Sequence, residues 1–235
     1  MHKTFLTAVF VTVSSFSAHA ATITWGSSLA HGLALSNSAT LLPTGNFVRL
    51  GYFDDGYSDA MIASDLNAGG VNAVDLKFNQ IDVARIGDGA SNSAGFFAAS
   101  ENFTVTSGLA GKQMAMWVFF SQDTSSLLTA QNTVQQTGIF YLSTAAQNGA
   151  WAIPSDNPTP GTTSIDLNQL TGNTGASGNL SVPDAHLVYG SYSANAFGPA
   201  NSRNFLLAAV VPEPSSAVFL LAGLGAFGLR RFRRL

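Results

Sequence analysis

The sequence predicts a mainly-β fold: an antiparallel β-sandwich of jelly-roll-like form, with one or two short helices in its connections and a C-terminal transmembrane helix. Three observations predict it. Short alternating or apolar runs recur between clusters of Gly, Asn, Asp and Ser, the pattern of strands joined by turns. Residues 58–67 break that rhythm with helix-forming residues. Near the C-terminus thirteen uncharged, mostly apolar residues, 217–229, run directly into a cluster of arginines.

The expected strands are residues 21–26, 47–53, 81–86, 103–106, 113–120, 138–142, 186–192 and 205–210. In the first, Ile23 and Trp25 share one face, as a period of two requires. Residues 114–120 are nearly all apolar and read as a buried strand, which makes Trp117 a core residue rather than a ligand platform. Ile86-Gly87-Asp88-Gly89 is a turn, and residues 154–161, with three prolines, are a loop. Residues 58–67 contain Ala60, Met61, Ala63 and Leu66, with Ser58 placed to cap a helix. Residues 164–170 are expected to form one further helical turn. No fixed-period repeat occurs, which removes support for propellers and solenoids.

Three segments follow from the ends inward. Residues 1–20 have the form of a signal peptide: Lys3 is the positive start, residues 5–16 the apolar stretch, and Ala18-His19-Ala20 a small-residue cleavage site for signal peptidase. Twelve residues are too few to span a bilayer, which needs about 20. Residues 21–211 are then one extracytoplasmic domain, long enough to bury a core without disulfides, and the chain has no cysteine. Residues 212–235 form a tail.

Charge separates these segments. Residues 21–211 hold twelve acidic and five basic side chains, whereas four of the ten basic residues, Arg230, Arg231, Arg233 and Arg234, lie in the last six positions. An acidic domain with so few cations is a poor partner for nucleic acid, whose binding needs clustered Lys and Arg. Residues 215–229 as a helix span about 22 Å, short of a hydrocarbon core of about 30 Å. Snorkelling arginines and local thinning make up the difference. The positive-inside rule keeps the arginines cytoplasmic and the acidic domain outside, the orientation that the signal peptide also demands.

With Pro212-Glu213-Pro214, a short apolar run and a basic end in that order, the last 24 residues resemble the PEP-CTERM sorting domain of Gram-negative bacteria. The resemblance implies that Pro212, Glu213 and Pro214 are the recognition motif and Arg230, Arg231, Arg233 and Arg234 the basic stop. It further implies processing by a membrane-embedded exosortase, transient residence in the inner membrane, and association with exopolysaccharide and the biofilm matrix at the cell surface. Gly51-Tyr52-Phe53, Gly95-Phe96-Phe97, Leu109-Ala110-Gly111-Lys112-Gln113 and Trp151-Ala152-Ile153-Pro154 are similar to ectodomains that accompany this tail, which have no assigned activity. Gly223-Leu224-Gly225-Ala226-Phe227-Gly228 matches a dinucleotide-binding fingerprint by letter, but the chain ends seven residues later, where a βαβ unit has no room.

Candidates for chemistry in the domain are few. His31 and His186 are its only histidines, each without a second His at i+2 or i+4, and no G-x-S-x-G elbow occurs. Glu101 is its only Glu, so a polysaccharide-cleaving carboxylate pair would need an Asp such as Asp54. Asp54, Asp55 and Asp59 cluster around a Gly and read as a solvated turn, with calcium as the functional alternative; their spacing departs from an EF-hand. Trp151, Tyr57, Tyr189 and Tyr192 lie near turns and are candidate platforms for sugar rings. The expectation is an exported surface or matrix protein that is not an enzyme and has no cofactor, with a carbohydrate-binding module as the alternative and a polysaccharide-cleaving enzyme behind it.

Overall fold

The computed structural model describes residues 19–27, 31–37, 40–68, 70–90, 92–106, 108–143, 151–154, 162–171, 185–194 and 203–210. Ala18 of the expected cleavage site, the expected apolar stretch of the signal peptide and the whole tail from residue 211, with its expected transmembrane helix, lie outside the described residues. Among the described residues no helix is long and apolar enough to cross a membrane.

The fold is mainly β, and the described residues form three open sheets. The largest has β6 (Met114–Phe120) near its middle, flanked by β3 (Phe47–Phe53) and then β4 (Phe78–Arg85) on one side and by β7 (Gln136–Leu142) on the other. The far edge of β7 pairs with two short strands end to end, β9 (Ala185–Tyr189) and β12 (Ala208–Ala209). A second sheet runs β5 (Ala98–Val105), β1 (His19–Gly26), β8 (Thr162–Asp166), and a third β10 (Ser191–Ala194), β11 (Arg203–Leu206), β2 (His31–Ala34).

Strand β6 explains the layering. Its seven residues alternate between two cores: Met114, Met116 and Val118 enter one, Ala115, Trp117 and Phe119 the other. The first core draws on all three sheets, through Ile23, Trp25, Leu33, Val48, Leu50, Phe140, Ile165 and Phe205. The second lies against helices: Ile62 and Leu66 of α1 (Asp59–Asn67), Val71 and Val74 of α2 (Val71–Asp75), and Ala130 of α3 (Leu127–Asn132). The six-stranded sheet is therefore covered by strands on one face and helices on the other. Each fully buried large aliphatic or aromatic side chain contributes about 1.5–3 kcal/mol, so a strand with two buried faces anchors both layers.

The helix-side core also contains a cation. Arg49, only 6% exposed, forms an ion pair with Asp75 and donates from Nε to Gln80 Oε1 at 2.7 Å. Its guanidinium sits over the rings of Phe78 at 4.8 Å and Trp117 at 5.1 Å. Burial lowers its pKa while Asp75 acts in the opposite sense, and the ring faces supply the attraction that a desolvated guanidinium needs.

Several expectations are corrected. The sheets are not purely antiparallel, because β8 runs parallel to β1 and β2 runs parallel to β11; parallel partners need long crossovers, which the hydrophobic pattern does not encode. With helices over one face and three sheets, the arrangement is not a two-sheet jelly roll. Residues 186–192 form two strands, since Gly190 turns the chain at φ +118° and a Cβ there would sit 2.5 Å from Leu206 O. Residues 205–210 likewise divide between β11 and β12. The single helical turn expected over residues 164–170 is instead the end of β8 followed by α4 (Asn168–Thr171). Helix α1 lies where it was expected, and Ser58 caps it by accepting a hydrogen bond from Met61 N–H.

Candidate functional site

The site is set up by a bulge. Between Leu50 and Gly51 the β3–β4 register shifts by one residue, and a Cβ on Gly51 would meet Phe78 Cζ at 2.6 Å and Asn79 O at 2.3 Å. Only glycine allows that approach. After the bulge Phe53 turns to the helix-side core, its ring 5.0 Å from that of Phe78 and 5.7 Å from that of Tyr57. Asp54 then begins a tight turn in which Tyr57 N–H donates to Asp54 O at 3.1 Å and Gly56 takes φ +82°. This loop and the start of α1 face the segment around residues 108–113 across a groove of about 450 Å³. The rings of Phe53, Tyr57 and Tyr141 line it, together with Asp54, Asp55, Asp59 and Lys112.

The three clustered aspartates have separate partners. Asp54 accepts from Asn79 Nδ2 at 2.9 Å and has Lys77 Nζ at 3.7 Å; Asp55 has Lys112 Nζ at 2.7 Å. With the Asp55 side chain 88% exposed, its pair contributes little to stability. Among the described residues no group of three or more His, Asp or Glu side chains is placed to hold a metal ion. Lys77 and Lys112 thus lie beside two of the three aspartates considered for calcium, Asp54 and Asp55.

Asp59 belongs to a different group. Tyr141, near the end of β7, packs against the helix-side core, Ser143 directly follows the strand, and His186 is the cross-strand partner of Tyr141. The imidazole stacks on the Tyr141 ring, centroids 4.5 Å apart and planes 5° apart. Tyr141 Oη donates to Asp59 Oδ1 at 2.6 Å, His186 Nδ1 lies 3.0 Å from Asp59 Oδ2, and His186 Nε2 lies 3.2 Å from Ser143 Oγ. Burial, then the hydrogen bond to Asp59 and its charge, push the Tyr141 phenol pKa well up. Tyr57 is raised in the same way, by burial and by its 2.5 Å hydrogen bond to Asp65.

Val210, the last described residue, is buried and donates from its N–H to Gln135 O at 3.0 Å. From that residue the sequence changes character, and residues 210–234 match the PEP-CTERM protein-sorting motif. The chain carries a PEP-CTERM sorting signal. Pro212, Glu213 and Pro214 and the arginines 230, 231, 233 and 234 all fall within the matched segment. The PEP-CTERM signal marks an exported protein, processed at a membrane by an exosortase. No curated protein and no solved structure matches the chain.

Upstream of the PEP-CTERM tail, the remaining sequence candidates scatter. Trp151 is fully buried in the strand-side core and donates from Nε1 to Gln169 Oε1 at 2.7 Å, so its nearness to a turn does not make it a platform. Trp117 is core, as expected. Tyr189 is 9% exposed, its hydroxyl donating to Ala209 O at 3.0 Å. Tyr192 packs edge-on against Phe205. Of the four candidate platforms only Tyr57 lines the groove. Glu101 lies on β5, away from the groove that Asp54 lines, and His31 is buried on β2. The Asp59, Ser143 and His186 grouping was invisible in the sequence, since its members are separated by 84 and 43 positions.

Proposed function

We propose that this protein is delivered by its PEP-CTERM tail to the cell envelope or extracellular matrix, where the β domain serves a structural role among exopolysaccharide. The observation that carries this is the sorting motif at residues 210–234, joined directly to a folded domain at Val210. In this reading residues 1–20 are removed by signal peptidase after Ala20, the tail resides briefly in the inner membrane, and exosortase processes it near Pro212-Glu213-Pro214. Delivery requires no turnover by the domain.

The test separates motif from anchor. In a host with an exosortase, changing Pro212, Glu213 and Pro214 to Ala leaves the apolar run and arginines intact, so the protein should accumulate unprocessed in the inner membrane. Neutralising Arg230, Arg231, Arg233 and Arg234 removes the charges that resist translocation, each worth about 2.5–3.5 kcal/mol at a bilayer centre, and should release uncut protein to the periplasm or medium. Fractionation with intact mass distinguishes the two. Normal processing of the Pro-Glu-Pro variant overturns the sorting reading.

A second reading, carbohydrate binding, is favoured by one feature: the groove combines the Phe53, Tyr57 and Tyr141 rings with carboxylate acceptors, a mixture suited to the apolar and hydroxyl faces of a sugar. Glycan-array binding that disappears in Tyr57→Ala supports it, and an empty array removes it.

A further inference from the structure

Asp59, His186 and Ser143 are arranged in the order that nucleophilic catalysis uses. An imidazole whose Nδ1–H donates to a carboxylate presents Nε2 as an acceptor, and here Nε2 faces a serine hydroxyl. A triad is recognised by these roles, on any fold and in any chain order. The missing G-x-S-x-G elbow excludes one scaffold for a serine nucleophile and says nothing about a serine that follows a strand.

Three further features fix the group. Tyr141 holds the imidazole plane by stacking and holds the other carboxylate oxygen of Asp59 by its hydroxyl. Asp59 is the first residue of α1, whose start is fixed by the Ser58 cap, and α1 packs through Ile62 and Leu66 on the same sheet that carries Tyr141. The group is reachable, the side chains of His186 and Asp59 being 38% and 42% exposed. Asp59 and Tyr141 also line the 450 Å³ groove, whereas Ser143 and His186 stand outside its lining, so a substrate would meet Ser143 from the solvent-exposed side of the imidazole.

We propose that Ser143, His186 and Asp59 form an acyl-transfer site that hydrolyses small carboxylic esters. Ser143 Oγ attacks the ester carbonyl carbon as its proton passes to His186 Nε2. The tetrahedral adduct collapses, the C–O bond to the alcohol breaks, and His186 returns that proton to the departing alkoxide. Water then gives a proton to His186 Nε2, attacks the acyl group on Ser143 and releases the carboxylic acid, and the proton goes back to Ser143 Oγ. The sum is ester and water to acid and alcohol. Asp59 and Tyr141 are positioning residues, Asp59 holding the tautomer and balancing the imidazolium. Oxygen esters are the substrate class because an alkoxide leaves more readily than an amide nitrogen and the site is open to water. This activity goes beyond delivery and matrix residence, and is read on purified protein whichever way sorting is resolved.

The test uses the full-length protein purified in detergent, a fluorophosphonate probe and p-nitrophenyl acetate. The expected result is one adduct per chain, mapped to Ser143 by peptide mass spectrometry, with ester turnover abolished in Ser143→Ala. General-base catalysis is worth about 10²–10⁴-fold, so His186→Gln should lose labelling and turnover by that factor. Asp59→Asn should lower kcat while KM stays near the parent value, a split that a merely structural role does not produce. Circular dichroism verifies that each variant is folded. Absence of an adduct on the folded parent overturns the proposal, as does labelling of Ser143 at an undiminished rate in His186→Gln.

Discussion

The two faces of the six-stranded sheet differ in chemistry although the same strands supply both. Toward the other two sheets the buried residues are aliphatic or aromatic with few polar companions: Val48, Leu50, Met116, Val118 and Phe140. Toward the helices the core includes Arg49 and Thr137 beside Trp117, whose Nε1 donates to Thr137 Oγ1 at 2.9 Å. The Tyr141, His186 and Asp59 group forms on that face too. The strand-side core meets its polar requirements at its margins, where the indoles of Trp25 and Trp151 donate to Asp82 and Gln169, while the helix-side core holds a buried cation at its centre. This division teaches where function is free to evolve: short helices and loops bring polar groups to a sheet whose opposite face already secures it.

The largest effect that tests this division lies on the apolar face. Phe140 is fully buried with its ring edge-on to Phe205, centroids 5.1 Å apart, so Phe140→Ala should cost about 3–5 kcal/mol. Urea unfolding measures it. A loss under about 1 kcal/mol means that the helix-side core carries the fold and reverses the comparison.

On the helix face, Tyr57→Phe removes a hydrogen bond to a carboxylate and should cost about 1.5 kcal/mol at neutral pH. Its pH dependence has a definite sign. The Tyr57 phenol pKa is raised in the folded protein, so above the ordinary value of about 10 the unfolded chain releases a proton that the folded one retains. The stabilisation is present below pH 10 and fades as pH rises toward the folded value. Parent and Tyr57→Phe stabilities should therefore differ by a constant amount up to about pH 10 and converge as pH rises above it; curves that stay parallel above about pH 10 show that the phenol is not coupled to folding.

The smallest effect is at the edge of the helical layer. Ser58 Oγ accepts from Met61 N–H at 3.4 Å, a long bond, so Ser58→Ala should cost about 0.5 kcal/mol, the low end for caps. Hydrogen exchange should show faster exchange at the start of α1 with β6 unchanged. Equal acceleration in β6 means that the layers do not separate.

Much of this was legible in the sequence, for reasons particular to each element. Residues 47–53 form β3 with the expected bounds, because a largely apolar run framed by turn residues marks both ends of a strand. Ser58 announced α1. Residues 114–120 read as a buried strand, and β6 is buried, entering both cores. Other elements left weaker traces. His31–Ala34 is four residues long and offers no periodicity, and α3 has a Ser126 cap but only six residues, too few to show a helical period. Trp151 was misplaced because nearness to prolines suggests exposure, whereas its N–H bonds Leu142 O and draws it inward. The Asp59, His186 and Ser143 grouping left no trace because cross-strand register, which a single sequence does not display, brings it together.

The end of the domain carries a mechanical consequence. Strand β12 is hydrogen-bonded to β7 through Ala209, and Val210 is still tied to Gln135, so a single residue, Val211, separates the folded wall from Pro212. Fully extended chain advances at most about 3.6 Å per residue, which leaves roughly 7 Å of slack between Val210 and the first proline. On the proposed route, an enzyme that engages Pro212-Glu213-Pro214 works within touching distance of the sheet edge, or peels β12 away to gain reach. On the proposed sorting route, the standoff of the domain from the membrane during processing is set by the one-residue link between Val210 and Pro212.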